Sequence, residues 1–228
     1  MKLARPDVFH PRIVIAGASR GGDDELAAAL RGRGLHAAPL AWDDPDVLEA
    51  DLVIVGAGAD TTAPREDFLA WTRTVRNLLN APEVMAWNAQ RRYLGDLQSA
   101  GVPTSAAQPG AEVTALVFVG GGRSHAFDAA GAGGTVEPDF EVWDLGRAAL
   151  RAAAERLSIW IDELLYARAD VVGDRDDARL LSLDLIAPDL GWRHLGAVER
   201  AGRHRQFALA VEAALQRLGL GPLSHRGP

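Results

Sequence analysis

Two short segments late in the chain carry chemically capable side chains at every second position. In Leu164–Val172, Tyr166, Arg168 and Asp170 alternate with Leu165, Ala167, Ala169 and Val171. In the run from Arg179 to Ala187, Ser182 and Asp184 fall together against Leu181, Leu183 and Leu185. Strand side chains alternate between faces, so each segment predicts one polar and one apolar face. The polar turn over 173–178 joins them as a hairpin and sets the polar faces side by side, with His125 of a preceding strand near enough to join them. Such a patch does acid–base work. His125 or Asp170 serves as base, Tyr166 or a protonated partner as acid, and Arg168 stabilises a developing oxyanion or enolate. A solvated face of an antiparallel sheet gives the same pattern.

Other chemistries find no residues. The chain has no cysteine, which excludes disulfides, thiolate nucleophiles and Cys-ligated metals. Its single lysine, Lys2, leaves none in the interior for Schiff-base or pyridoxal chemistry. The glycine-rich turn Gly17–Gly22 is followed by Asp23 and Asp24, whose charge opposes a dinucleotide pyrophosphate. Ser124 and His125 are neighbours on a strand and are expected on opposite faces, which argues against a nucleophile–base pair. No His-x-His or His-x-x-x-His spacing marks a metal site, so neither metal nor cofactor is expected.

A net charge of −7 argues against nucleic acid as a partner. No apolar run is long enough to span a bilayer, and the amino terminus lacks a signal-peptide core. The expectation is a soluble cytoplasmic protein whose partner is a small molecule; the oligomeric state is left open.

The elements that must position these residues fall into two halves, giving an α/β fold class. Arg12–Ala18 is a continuous β-branched run suited to a buried parallel strand. An acid-started helix through Leu26–Gly34, ended by Gly32 and Gly34, follows, then strands at His36–Trp42 and Asp51–Val55 and a helix over Asp67–Leu79 with Phe68, Trp71 and Val75 on one face. Alternation of this kind predicts an open parallel sheet over 1–103. The half from 104 to 228 reads as α+β with an antiparallel sheet. Thr114–Val119 and Ser124–Phe127 form a hairpin turned by Gly120–Gly122. Helices cover Leu145–Leu157 and Phe207–Leu218, and strands cover Leu164–Val172 and Arg179–Ile186. Trp71 and Trp160 sit among apolar neighbours and are expected in the core, while Trp143 and Trp192 lie nearer the loops of the cleft.

The stretch from Leu78 to Pro103, with Asn88, Arg91, Tyr93-Leu94 and Gly101-Val102-Pro103-Thr104, resembles the junction at which ATP-grasp enzymes of the glutathione synthetase and carboxylate–amine ligase type enter their nucleotide-binding half. In that family a small lid domain with a phosphate-gripping lysine follows. Here Thr104 runs within a few residues into Thr114–Val119, so the resemblance implies a truncated, degenerate member without the lid. The family's first phosphate lysine corresponds to Arg91. Its magnesium-holding strands correspond to the two polar segments: Arg168 and Asp170 match, Asp184 replaces a glutamate, Ser182 and Ala187 stand where glutamates are expected, and Arg193-His194 match a trailing Arg-His. Where related actinobacterial proteins carry an Arg-Ser-Thr-Trp-Asp-Tyr motif, only Asp60 remains.

The resemblance therefore implies an ATP-independent enzyme on an ATP-grasp scaffold. The expected activity is lyase or cyclase chemistry (dehydration, conjugate addition or cyclisation) on a small intermediate of natural-product biosynthesis. The catalytic candidates are His125, Tyr166, Arg168, Asp170 and Asp184; the substrate-binding candidates are Asp60, Arg91, Ser182, Trp192, Arg193 and His194. Alternatives are a surviving ATP-dependent carboxylate–amine ligase and a non-catalytic binding protein.

Overall fold

A computed structural model describes residues 10–17, 24–56, 59, 64–106, 110–129 and 134–221. The chain divides into two compact units, one built from Met1–Leu79 with Phe207–Pro228 and the other from Asn80–Gln206. The division expected after residue 103 is thus found after Leu79, and the chain returns to the first unit at Phe207, within the last helix. The segment 80–105 belongs with the second unit because its side chains and backbone close the edge of that unit's sheet, as described below.

In the first unit β1 (Arg12–Gly17), β2 (His36–Ala41), β3 (Leu52–Val55) and β4 (Leu78–Leu79) form an all-parallel sheet in the order β2-β1-β3-β4. Ile13, Val14 and Ile15 are fully buried, as a parallel strand covered on both faces requires. Helix α1 (Asp24–Gly32) buries Leu26 and Ala27, which lie four and three residues before the buried Leu30 on the same face.

The helix expected over 67–79 stops early: α2 spans Arg65–Thr72, and Leu78–Leu79 becomes the fourth strand. The hydroxyls of Thr72 and Thr74 donate to the carbonyls of Leu69 and Trp71 at 2.8 and 2.7 Å. Local bonds of this type offer the chain an alternative to further helix. Leu78 and Leu79 then pair with Val53 and Ile54 and are buried there.

In the second unit β5 (Thr114–Val119), β6 (Gly122–Asp128), β7 (Thr135–Val136), β8 (Tyr166–Val172) and β9 (Arg179–Asp184) form an antiparallel sheet in the order β7-β6-β5-β8-β9. Helix α5 (Phe140–Leu157) lies against it. A Cβ on Gly146 of α5 would stand 2.8 Å from a Leu116 methyl, so helix and sheet approach as closely as glycine allows. The hydrophobic core joins Leu116, Phe118, Trp143, Leu150, Ala169, Leu180 and Leu183. Trp143 is core, edge-on to Phe118, and not a cleft residue. Trp160, expected in the core, is 79% exposed where the chain leaves α5.

β9 is an edge strand, and the segment carrying the family resemblance covers it. Helices α3 (Pro82–Asn88) and α4 (Tyr93–Ser99) lead to Val102, buried beneath Thr104, which bridges to Leu180 in parallel. Leu180 donates to the Pro103 carbonyl and Ser105 donates to the Leu180 carbonyl, each at 2.9 Å. Further along, the Asn88 amide accepts from the Leu185 N–H and donates to the Leu183 carbonyl, both at 2.8 Å, as a neighbouring strand would. Only residues 105–113 then separate this bridge from β5, far below the roughly 50 residues of a small domain. Among the described residues no helix is long and apolar enough to cross a membrane.

Candidate functional site

The register of β8 and β9 pairs Arg168 with Asp184 and Asp170 with Ser182, so the polar side chains expected to share a face do so. Arg168 Nε donates to Asp170 Oδ1 at 2.7 Å, and the Ser182 hydroxyl donates to Asp170 Oδ2 at 3.1 Å. The Arg168 guanidinium also lies 5.2 Å from the centre of the Phe127 ring on β6, a cation–π distance. Asp184 Oδ1 accepts from the Ile186 N–H at 2.9 Å.

One expectation for β9 fails. The register shifts after Asp170, where Val171 pairs with Leu180, so Leu181 is an extra residue. Leu180, Leu183 and Leu185 form the buried set, and Leu181 is half-buried. A bulge inserts one residue and breaks the alternation on its far side.

Tyr166 is 2% exposed and donates its hydroxyl to the Ile186 carbonyl at 2.9 Å. That bond ties β8 to the chain beyond β9 and suits a structural phenol better than a proton donor. His125 differs from its expected role in a similar way. Its Nε2 lies 2.7 Å from the Leu190 carbonyl, which can only accept, so Nε2 carries the proton and Nδ1 accepts from the Ser124 hydroxyl at 3.0 Å. Burial lowers its pKa to about 4, against the opposing bond to Leu190 and with help from the Arg203 and His194 charges. It is a neutral, fully bonded ring at physiological pH.

Ser124 and His125, expected on opposite faces, are hydrogen-bonded because β6 also bulges. Leu116 pairs with Ala126 and Phe118 with Arg123, leaving both Ser124 and His125 opposite Val117.

Trp192, Arg193 and His194 form a short 3-10 helix entered through Gly191 at φ 65°. A Cβ on Gly191 would lie 2.2 Å from the Phe127 ring. The Trp192 ring sits 5.4 Å from His125, and His194 stacks on Phe127 at 4.8 Å. Of these rings, Phe127 carries the Arg168 guanidinium on its face. Arg193 is exposed and paired with Asp189. Burial acts to raise the Asp189 pKa, but bonds from Arg193 and the Gly191 N–H, with the Arg193 and Arg168 charges, hold it low.

Arg91 is exposed and lies within electrostatic reach of the Tyr93 hydroxyl, as do Asp184 and Asp170. Asp60 lies outside the described residues. The structure thus groups Arg168, Asp170, Ser182 and Asp184, extends that group toward Arg91, and assigns Tyr166 and His125 to its framework.

Tyr93 was missed as a site residue. Its oxygen accepts from the Leu183 N–H at 3.1 Å, leaving its own proton to donate, and its ring is held edge-on by Trp87. Burial raises its pKa most, the Leu183 bond opposes, and Asp184 and Asp170 raise it further, so the phenol stays protonated. Its place in the Arg92-Tyr93-Leu94 stretch was the available signal, but helix periodicity alone reads it as packing. Asn80 was also missed. Fully buried at φ 43°, it donates to the Tyr166 and Leu185 carbonyls and accepts from the Leu165 N–H, clamping β8 to the chain after β9.

This fold is that of the ATP-grasp ligases. The family model described as the N-terminal domain of D-cycloserine synthetase DcsG matches residues 11–80. The crystal structure of D-cycloserine synthetase DcsG superposes with a TM-score of 0.73 at 19% identity, covering 89% of this chain and 99% of that one. The ATP-grasp ligase PsnB, complexed with precursor peptide PsnA2 and AMPPNP, gives 0.57 at 14% identity, covering 90% and 97%. The D-alanine–D-alanine ligase from Bacillus anthracis, complexed with ATP, gives 0.56 at 11% identity, covering 91% and 98%. No curated protein matches the sequence.

Magnesium bound with a nucleotide needs carboxylate oxygens open to an octahedral ion. Asp170 accepts one hydrogen bond on each oxygen, from Arg168 and from Ser182, and among the described residues no group of three or more His, Asp or Glu side chains is arranged to hold a metal. The face offers two carboxylates, Asp170 and Asp184, with Ser182 and Ala187 at the positions where the resemblance implies glutamates.

Proposed function

We propose that the chain is a nucleotide-independent enzyme that performs acid–base chemistry, as a lyase or cyclase, on a small organic intermediate at the polar face of β8 and β9. The observation that carries this reading is the Arg168–Asp170–Ser182 network. It turns the carboxylate that the resemblance assigns to magnesium into one oriented by an internal cation and a hydroxyl. In an elimination, Asp170 takes a proton from the carbon beside a carbonyl and Arg168 stabilises the enolate oxygen. The electron pair then forms the new double bond as the leaving group departs with a proton from the Tyr93 phenol. Cyclisation uses the same groups, with Asp170 deprotonating an internal nucleophile. A natural-product setting is supported by the D-cycloserine synthetase among the similar structures.

The test is to supply the purified protein, without nucleotide, with the intermediate made by the enzymes encoded beside it and to follow product by mass. Conversion without ATP that falls 10²–10⁴-fold in Asp170→Asn fits this reading, the usual worth of a positioned proton transfer. Conversion only with ATP favours the second reading, an ATP-dependent ligase, for which the nucleotide-bound PsnB and D-alanine–D-alanine ligase are the specific support.

A further inference from the structure

The first unit holds a cavity of about 330 Å³ whose lining includes no residue of β8 or β9. It opens at the amino ends of β1 and β2, where His10 and His36 present two imidazole rings stacked at 4.9 Å and 6° from parallel. Parallel stacked rings do not converge their in-plane nitrogens on one ion, so this pair offers a flat π surface and no chelate. The far wall comes from the final helix, α6 (Ala197–Arg217). From it Glu212 takes two bonds from Arg33, at 2.6 and 2.9 Å. The two charges compensate each other and leave no net charge to select an ion. Leu35, Leu215 and Leu220 supply apolar lining.

We propose that this cavity is a small-molecule site for uncharged, planar heteroaromatic compounds of one or two rings, which extend the His10–His36 stack against the leucines. The volume is at the lower end of ligand pockets, which limits the guest to that size. Polar edges of the guest meet the Arg33–Glu212 pair and Gln216.

The test titrates indole into the full chain at pH 8 while the histidine ring signals are followed by NMR, with benzoate as the charged comparison. The His10 and His36 signals should shift saturably, with half-saturation at about 1 mM or below, and those of His125, His194 and His204 should not. Benzoate should bind at least tenfold more weakly. His36→Ala removes the shelf and Gln216→Trp fills the mouth. Both positions are exposed, so melting temperatures should hold while indole affinity falls tenfold or more. Absence of saturable shifts at His10 and His36 up to 10 mM, benzoate binding as tightly as indole, or unchanged indole affinity in both variants overturns the proposal.

Discussion

Arg168 and Asp170, two residues apart on β8, close a 2.7 Å ion pair on the face that the fold's nucleotide-binding relatives are expected to turn toward magnesium. The side chains are 18% and 22% exposed, so the pair lies between a surface salt bridge and a buried one. Removing one partner leaves the other charge partly desolvated. Arg168→Met and Asp170→Asn should each destabilise the fold by about 1–2 kcal/mol, and the double variant should lose less than their sum. Additive losses in chemical denaturation would show that the pair is not coupled.

His125 should make stability depend on acid. Its pKa in the fold, about 4, is below the ordinary imidazole value of about 6.5, so the unfolded chain binds more protons between those values. The stabilising contribution is complete above about pH 6.5 and declines as the pH falls toward 4. The loss amounts to roughly 2–3 kcal/mol. Denaturation midpoints from pH 7.5 to 4.5 check this, and His125→Asn should flatten the dependence while lowering the plateau.

Asn88 should matter more than its uncharged side chain suggests. Asn88→Ala strips partners from the Leu183 carbonyl and the Leu185 N–H at a covered sheet edge, and each unsatisfied group costs about 1–3 kcal/mol. A loss of at least 2 kcal/mol, with amide exchange at Leu185 accelerated, is the expected outcome.

Tyr93 and Tyr166 are the only phenols, which makes Tyr93 directly visible. In a Tyr166→Phe background, phenolate absorbance should appear only above pH 10, because burial and nearby carboxylates disfavour the anion. Titration below pH 10 would remove the basis for Tyr93 as a proton donor.

Much of this was legible because it follows from local pattern. The β-branched run of β1, the glycine-turned β5–β6 hairpin and the alternation of Tyr166, Arg168 and Asp170 all state their structure within a few residues. What escaped depends on partners distant in sequence. Leu78–Leu79 is a strand only because β3 has a free edge, and no two-residue pattern announces that. The bulges at Ser124–His125 and Leu181 change which face a side chain takes without any change in residue type. Tyr166 and His125 had the right chemistry on the right strands, but the Ile186 and Leu190 carbonyls engage them first. Arg168, Asp170 and Ser182 were legible as a group because pairing across one hairpin is enough to bring them together.

The β8–β9 face is proposed to work without a magnesium nucleotide. Isothermal titration of Mg-ATP into the purified chain tests it most directly. The triphosphate needs compensating cations and bridging carboxylates, while Arg168 is already paired with Asp170, Ser182 stands where the resemblance implies a glutamate, and Arg91 stands where it implies a lysine. No saturable heat up to millimolar Mg-ATP is the expected outcome. Saturable binding at micromolar concentration, abolished by Arg168→Met or Asp170→Asn, would contradict it.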